Sequence, residues 1–133
     1  MALLLIDVDH FKRYNDVNGH QQGDKLLAAL GRTLHQVASR QDDVAARYGG
    51  EEFAIVLPRT DYDGAMLVAE RARCAALTLD CTVSIGVSCY RLDGTTPEEL
   101  ICVADKRLYR AKKNGRNKVV GQSVYQVPTI RSA

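Results

Sequence analysis

The chain has 133 residues, of which 46% are hydrophobic and 26% are charged, with ten glycines and three prolines. These values predict about one globular domain and exclude a disordered or fibrous chain. Eighteen Lys and Arg residues against sixteen Asp and Glu residues give a formal net charge of +2, which is too balanced for a protein held mainly by a nucleic-acid backbone or an anionic membrane surface.

The chain shows no targeting or membrane-spanning pattern. No apolar run approaches the ~20 residues that a membrane-spanning helix needs, and the apolar start meets Asp7 too soon for a secretory signal. The four cysteines form no CxxC pair and have no histidine at zinc-ligand spacing; they are Cys74, Cys81, Cys89 and Cys102. We interpret them as buried reduced thiols, although their spacing leaves a disulfide open, and we expect a reducing compartment such as the cytoplasm.

The first half of the chain predicts a strand, a helix and a hairpin. Residues 2–6 are a continuous apolar run, typical of a central strand covered on both faces. Leucines at three- and four-residue spacing predict a helix from residue 24 to about residue 39. Two strand-like runs, 44–48 and 53–57, enclose the pair Gly49-Gly50, which permits a tight hairpin.

The second half begins with another helix and a strand. Thr60 is a candidate N-cap for this helix, and its inner face is expected to carry Ala65, Val68, Ala69, Ala72 and Ala75. Residues 82–88 alternate apolar with small or polar side chains, which predicts a half-buried strand.

A third helix has the clearest boundaries in the chain. Thr96 is predicted as its N-cap, with Pro97 at the first helical position and Glu99 completing a capping box. Gly115 follows a basic last turn, as expected at a left-handed C-terminal cap. Residues 119–120 are read as a last short strand.

The order of these elements predicts an α/β (α+β) domain in which helices pack on a mixed sheet that the hairpin makes partly antiparallel. Residues 121–133 lack periodicity, and we interpret them as a frayed end or a linker.

Four carboxylates stand near the ends of predicted strands. Asp7 and Asp9 follow the first strand, and Glu51 and Glu52 lie at the hairpin tip. Either pair alone is more simply explained as solvated surface, because acids at strand ends are easily hydrated. If the first strand neighbours the hairpin, the acids converge and would repel one another unless some were protonated or a cation lay among them. Such hard oxygen ligands suit Mg²⁺.

Basic residues are concentrated near the end of the third helix. Residues 106–118 contain no acid and seven bases: Lys106, Arg107, Arg110, Lys112, Lys113, Arg116 and Lys118. Most of them are expected to be a solvated face that complements the helix dipole. Lys112 and Arg116 flank the Asn114-Gly115 turn, from which their side chains can reach a bound phosphate. A basic arm beside metal-binding acids fits a nucleoside triphosphate.

Two polar residues after the first strand are candidates for reading a base. The amide of Asn15 and the carboxylate of Asp24 match the hydrogen-bonding edge of guanine. The alternative, equally open on spacing alone, is that Asp24 caps the following helix and Asn15 caps a turn. We interpret His20 as a packed or turn histidine, and no Ser, His and Asp arrangement suggests a nucleophilic hydrolase.

Several spaced blocks together resemble the GGDEF domain of diguanylate cyclases, from residue 2 to about residue 120. The blocks are Asp7-Val8-Asp9-His10-Phe11-Lys12, Asn15-Asp16, Gly19-His20, Gly23-Asp24, Arg47-Tyr48-Gly49-Gly50-Glu51-Glu52-Phe53, Val83-Ser84-Ile85-Gly86-Val87, Ala104-Asp105, Tyr109-Arg110-Ala111-Lys112 and Gly115-Arg116-Asn117. Glu51 stands where the name-giving motif has aspartate, which is a familiar active variant. The resemblance predicts residues 1–120 as the domain.

The resemblance implies a fold related to the palm of nucleotidyl cyclases and polymerases, with helices packed on a mixed, largely antiparallel sheet. It also implies the condensation of two GTP molecules into cyclic di-GMP with loss of two pyrophosphates. It implies that two Mg²⁺ or Mn²⁺ ions are held by Asp7, the backbone carbonyl of Val8, Glu51 and Glu52. Glu51 is one candidate for taking the proton of the attacking hydroxyl, and the identity of that group stays open.

The same resemblance assigns substrate and inhibitor contacts. Asn15 and Asp24 would recognise guanine, whereas the phosphates would be held by Lys12, Lys112, Arg116 and main-chain N–H groups near His10 and Phe11. Since each domain holds one GTP, catalysis implies a homodimer. Arg40 and Asp43 match the family's RxxD inhibitory site, where product binds, and Arg71 is expected as a third contact.

Two departures from the family pattern are visible. Family members usually carry a helix before the first strand, and the segment 75–81 is shorter than the usual connection. Fusion to sensory or effector domains is expected, in a parent protein for which a membrane tether stays open. The alternatives are a catalytically silent module that binds GTP or cyclic di-GMP, and a cyclase acting on a different purine.

Overall fold

The computed structural model of the chain describes residues 1–122 and has five strands and four helices in that part of the chain. In chain order they are β1 (Ala2–Val8), α1 (Phe11–Asn18), α2 (His20–Val37), β2 (Val44–Arg47), β3 (Glu52–Leu57), α3 (Tyr62–Leu77), β4 (Val83–Cys89), α4 (Pro97–Lys113) and β5 (Lys118–Val120). The strands form one sheet in the order β2-β3-β1-β4-β5, in which only the β4–β5 pair is parallel. The predicted class, helices on a mixed and largely antiparallel sheet, is confirmed.

Helices cover both faces of the sheet, and β1 is buried along its whole length. Successive side chains of a strand point to opposite faces. Leu4 and Ile6 belong to the larger core, together with residues of α2 and α3. Leu3 and Leu5 form the smaller core with residues of α4. This alternation places Asp7 on the α4 side of the sheet.

Close approach of α4 to the sheet depends on Gly86 of β4. A Cβ atom at Gly86 would lie 2.1 Å from the carbonyl oxygen of Ala104 and 2.4 Å from the backbone nitrogen of Leu108. Strand β4 is therefore buried on both faces, and the prediction of a half-buried strand is wrong. Its small and polar side chains face a helix that packs against the backbone.

The polar segment after β1 is helical, which the sequence did not predict. It forms α1 and the first turn of α2, and the two helices are separated by Gly19, whose φ is 90°. Helix α2 therefore begins at His20 rather than at Asp24, and Asp24 is not an N-cap. Helix α1 buries only Phe11, so it carries no apolar stripe that periodicity could detect.

Of the other two predicted helix starts, the first is wrong and the second is confirmed. Asp61, not Thr60, caps α3, because its Oδ1 accepts a hydrogen bond of 2.9 Å from the backbone N–H of Gly64. Thr96 and Glu99 form the predicted capping box at the start of α4. Gly115 has a φ of 111° just beyond the end of that helix, as predicted.

The four cysteines differ in their burial. No disulfide forms among the four cysteines. Cys89 is buried as expected, whereas Cys81 is only partly buried and Cys74 and Cys102 are exposed, for which the expectation of buried thiols is wrong. No helix within residues 1–122 combines the length and apolarity needed to cross a membrane. Most of the predicted tail, residues 123–133, lies outside the described residues.

Candidate active site

Three acids meet where β1 ends and the hairpin begins, and we call Asp7, Glu51 and Glu52 the acidic edge. Asp7 of β1 lies directly opposite Glu52 of β3 in the antiparallel register. The backbone N–H of Val8 donates a 3.2 Å hydrogen bond to the carbonyl oxygen of Glu51. The first strand and the hairpin are therefore neighbours, which is the condition under which the sequence predicts that the acids converge.

A lysine from α4 reaches the acidic edge. The Lys112 Nζ lies 2.6 Å from Oδ2 of Asp7, whose side chain is 6% exposed, whereas the lysine side chain is 33% exposed. Ala104 and Leu108 are buried at the preceding four-residue steps of α4, so the helix period directs Lys112 toward the sheet. Its ammonium is the counter-charge that makes burial of the Asp7 carboxylate tolerable.

Burial and the neighbouring acids destabilise the charged form of Glu51. Burial raises the pKa of its carboxyl group above the usual value, and the negative charges of Asp7 and Glu52 raise it further, against the opposing effect of Lys112. A carboxylate in this position is destabilised unless positive charge is added. The acidic edge is thus a place where a cation is favoured.

The donor chemistry of the acidic edge fits a hard divalent cation, which prefers carboxylate and carbonyl oxygens. Within residues 1–122, no three His, Cys, Asp or Glu side chains are already gathered closely enough to hold a metal ion. Instead, the Lys112 ammonium occupies one oxygen of Asp7, where it supplies the positive charge that the carboxylate requires.

Asp9 does not join the acidic edge, contrary to the convergence of four acids considered from the sequence. Its carboxylate accepts hydrogen bonds from the hydroxyl groups of Thr82 and Ser84, each at 2.7 Å, and from the backbone N–H of Asn117 at 3.0 Å. Its oxygens are engaged by neutral donors, so Asp9 is not placed to serve as a metal ligand.

Asn15 and Asp24 come from different helices. The Oδ1 atom of Asn15 is buried and has no hydrogen-bond partner within residues 1–122. A Cβ atom at Gly23 would lie 1.7 Å from that oxygen, so the glycine makes room for the amide. Asp24, one residue further along α2, is exposed and lines a 250 Å³ cavity against β2 and Phe53 of β3. An unpaired buried amide oxygen calls for a donor.

The predicted phosphate contacts lie around the ends of α1 and α4. Helix α1 begins at Phe11, and its N-cap, His10, makes no side-chain capping bond and has a φ of 57°. The N-terminal N–H groups of a helix favour anions. Lys12 and Arg116 are exposed, and Arg116 follows α4 with a φ of 64°.

The three residues predicted for the inhibitory site share one cavity. Arg40, Asp43 and Arg71 line a 330 Å³ cavity between the α2–β2 connection and α3. Within it, the backbone N–H of Arg40 donates to Oδ2 of Asp43 at 3.1 Å, and the Arg40 Nη1 donates to the Arg59 carbonyl oxygen at 3.1 Å. Two guanidinium groups beside one carboxylate match the needs of an anionic ligand with a polar edge.

Sequence reasoning missed the role of Arg47, which ties the hairpin together. Its Nε donates to the carbonyl oxygens of Gly49, at 3.2 Å, and Gly50, at 2.9 Å, and its Nη2 donates to Gly50 at 2.5 Å. These bonds fix the turn that precedes Glu51. An arginine just before a diglycine turn was the available signal, because such loops expose backbone carbonyl groups.

Comparisons with known proteins identify the family to which this chain belongs. The family model described as "Diguanylate cyclase, GGDEF domain" matches residues 1–118. Diguanylate cyclase DgcM of Escherichia coli (strain K12) is 45% identical over 125 residues, which cover 90% of this chain and 30% of that protein. The chain thus spans less than a third of the length of this relative.

Two solved structures show the same fold. The active GGEEF domain of a diguanylate cyclase from Vibrio cholerae superposes with a TM-score of 0.82 at 32% identity, covering 90% of this chain and 81% of that chain. The coiled coil and GGDEF domain of DgcB from Caulobacter crescentus, in complex with c-di-GMP, gives a TM-score of 0.83 at 31% identity, covering 90% of this chain and 68% of that chain. With its acidic edge and diglycine hairpin, the chain belongs to the GGDEF family of diguanylate cyclase domains.

Proposed function

We propose that this chain is the catalytic domain of a diguanylate cyclase, spanning residues 1–120. The reaction joins two GTP molecules: each ribose 3′-hydroxyl attacks the α-phosphate of the other nucleotide, two phosphodiester bonds form and two pyrophosphates leave. The observation that carries the proposal is the register of Asp7 opposite Glu52, with Lys112 held against Asp7. This arrangement brings acids suited to metal binding next to a lysine suited to phosphate binding.

Asp7, Glu51, Glu52 and the backbone carbonyl of Val8 are the proposed ligands of two Mg²⁺ or Mn²⁺ ions. When bound, these ions neutralise charge at the α-phosphate and lower the pKa of the attacking 3′-hydroxyl. Arg47 holds the turn before the two glutamates through its bonds to the glycine carbonyls, which limits the reorganisation that binding requires.

Nucleotide binding is assigned to side chains that surround the acidic edge. Lys112 and Arg116 from the end of α4, and Lys12 with the N–H groups near His10 and Phe11, would hold the phosphates. The buried, unpaired Oδ1 of Asn15 would accept a hydrogen bond from guanine, and the Asp24 carboxylate would accept further N–H donors of the same base edge. Adenine offers fewer ring and exocyclic donors to such acceptors, so GTP is preferred.

Catalysis requires two domains, because the product is symmetric and each domain supplies one nucleotide. The decisive experiment fuses the domain to a dimeric coiled coil and measures cyclic di-GMP formed from GTP and Mg²⁺. We expect product from the fused wild type and from Glu98→Gln, an exposed control in the first turn of α4. Glu52→Gln should abolish turnover. Calorimetric binding of GTP without any product from the forced dimer would refute catalysis and leave a binding module.

The cavity lined by Arg40, Asp43 and Arg71 is proposed to bind cyclic di-GMP as an inhibitor. The c-di-GMP complex of the related DgcB domain and the anion-matching lining of this cavity support the proposal. Arg40→Ala should raise the inhibitory constant of cyclic di-GMP at least tenfold, since a charge-assisted contact contributes ~1.5–3 kcal/mol, with initial turnover unchanged. Unchanged inhibition in that variant would show that the cavity is not the inhibitory site.

A further inference from the structure

Asp9 is a buried carboxylate that the proposed reaction does not use. It is 8% exposed, and its two oxygens accept hydrogen bonds from Thr82, Ser84 and Asn117. Its own backbone N–H donates to the carbonyl oxygen of Thr82 at 2.9 Å. One side chain therefore connects the end of β1, the start of β4 and the turn after α4.

The turn after α4 has an unfavourable backbone conformation, which hydrogen bonds from other segments stabilise. Arg116 and Asn117 have φ angles of 64° and 49°, so two consecutive residues with side chains lie in the left-handed region, a conformation that is seldom adopted without compensation. The Arg116 N–H donates to the carbonyl oxygen of Ala111 at 2.9 Å. The Oδ1 of Asn117 accepts from Arg73 Nη1 at 2.9 Å. The Asp9 carboxylate accepts a further bond, of 3.0 Å, from the Asn117 N–H.

We propose that Asp9 is a positioning residue: its carboxylate holds the Arg116-Asn117 turn, from which the Arg116 side chain extends to the triphosphate. The inference rests on the proposed function, because Arg116 is assigned there to the phosphates. Two features support it. Asp9 and Asp7 stand on the same strand end, and the turn that Asp9 holds follows the helix whose last residues include Lys112. The anchoring therefore fixes the segment that carries Lys112 and Arg116 relative to the acidic edge.

The conservative substitution separates positioning from metal ligation. In Asp9→Asn, the amide oxygen still accepts from the Asn117 N–H while the NH₂ group donates to the Ser84 hydroxyl, so the turn stays anchored. Asp9→Ala removes every acceptor. We expect the Michaelis constant for GTP to rise about tenfold in Asp9→Ala, the loss typical of a hydrogen bond to a charged group, and to rise less than threefold in Asp9→Asn, with kcat nearly unchanged in both.

Coupling to Arg116 gives a second test. Because Asp9 acts through Arg116, the double variant Asp9→Ala/Arg116→Ala should bind GTP no more weakly than Arg116→Ala alone, the non-additivity expected of linked residues. Ser84→Ala and Ser88→Ala form a matched pair, since both serines are fully buried on β4 and each donates one hydrogen bond. Neither variant should raise the Michaelis constant as Asp9→Ala does, because Ser84 bonds the Asp9 oxygen that the Asn117 N–H does not use.

A measurement independent of turnover keeps the inference testable if the cyclase proposal fails. Hydrogen exchange followed by NMR should show the Asn117 amide protected in the wild type and in Asp9→Asn, and exchanging at least tenfold faster in Asp9→Ala, while the Ile85 amide of β4 stays protected. Equal Asn117 exchange in wild type and Asp9→Ala would overturn the anchoring. Equal loss of GTP binding in Asp9→Asn and Asp9→Ala, or additive losses in the double variant, would overturn the positioning role.

Discussion

Lys112→Met tests the electrostatic balance of the acidic edge in the absence of metal and nucleotide. The substitution keeps a long apolar stem but removes the ammonium that lies 2.6 Å from Oδ2 of Asp7. Asp7 is then left as an uncompensated buried charge next to Glu51 and Glu52. Removing one partner of a fully buried pair costs ~3–5 kcal/mol. Because a third of the Lys112 side chain is exposed, solvent screening reduces the expected loss to about 1–2 kcal/mol.

At this chain length such a loss corresponds to a fall in Tm of about 4–8 °C. Thermal unfolding in EDTA at pH 7 measures it. Lys113→Met is the matched control, since the neighbouring lysine is exposed and its ammonium lies over the Tyr109 ring; its Tm should change by less than about 2 °C. The double variant Asp7→Asn/Lys112→Met should recover most of the loss. An unchanged Tm in Lys112→Met, or no recovery in the double variant, would refute the role of Lys112 as counter-charge.

Three further substitutions probe the same edge and its supports. Glu51→Gln should raise Tm in EDTA at pH 7, because the pKa of Glu51 is raised by burial and by Asp7. The gain should shrink as the pH falls and vanish below about pH 3.5, where the carboxyl is protonated in both folded and unfolded states, and a gain that persists there would contradict the assignment. Gly86→Ala should destabilise the fold by about 2–3 kcal/mol in urea unfolding, since its Cβ meets helix backbone, whereas Gly31→Ala, whose Cβ lies 3.6 Å from Phe53, should cost under about 1 kcal/mol. Gly23→Ala should displace the Asn15 amide and reduce the preference for GTP over ATP in competition binding, and it should add nothing to Asn15→Ala.

The sequence predicted the elements whose signals are local. Residues 2–6 are continuously apolar, and Thr96 with Glu99 forms a capping box, so β1 and the start of α4 could be located without a structure. Helix α1 could not, because it buries only Phe11 and has no apolar period. The start of α2 was missed for the same reason, since its first turn is polar.

The geometry of the site depends on contacts between distant segments, which periodicity does not encode. The pairing of Asp7 with Glu52 follows from the register of β1 and β3, and a shift by one residue would place these side chains on opposite faces. The separation of Asp9 from the acidic edge depends on the hydroxyl groups of Thr82, just before β4, and Ser84 of β4, and on a left-handed turn after α4. The position of Lys112 is easier to predict from the sequence, because Lys112 continues the four-residue spacing of Ala104 and Leu108.

Asp7, Glu51 and Glu52 are proposed to bind divalent cations together with a guanine nucleotide. Mn²⁺ binding measured by EPR on the coiled-coil fusion, with a non-hydrolysable GTP analogue present, tests this claim most directly. We predict two Mn²⁺ ions per nucleotide-loaded domain in the wild type, a loss of at least one in Glu52→Gln, and wild-type binding in Glu98→Gln. Mn²⁺ binding that is the same in wild type and Glu52→Gln would contradict the claim.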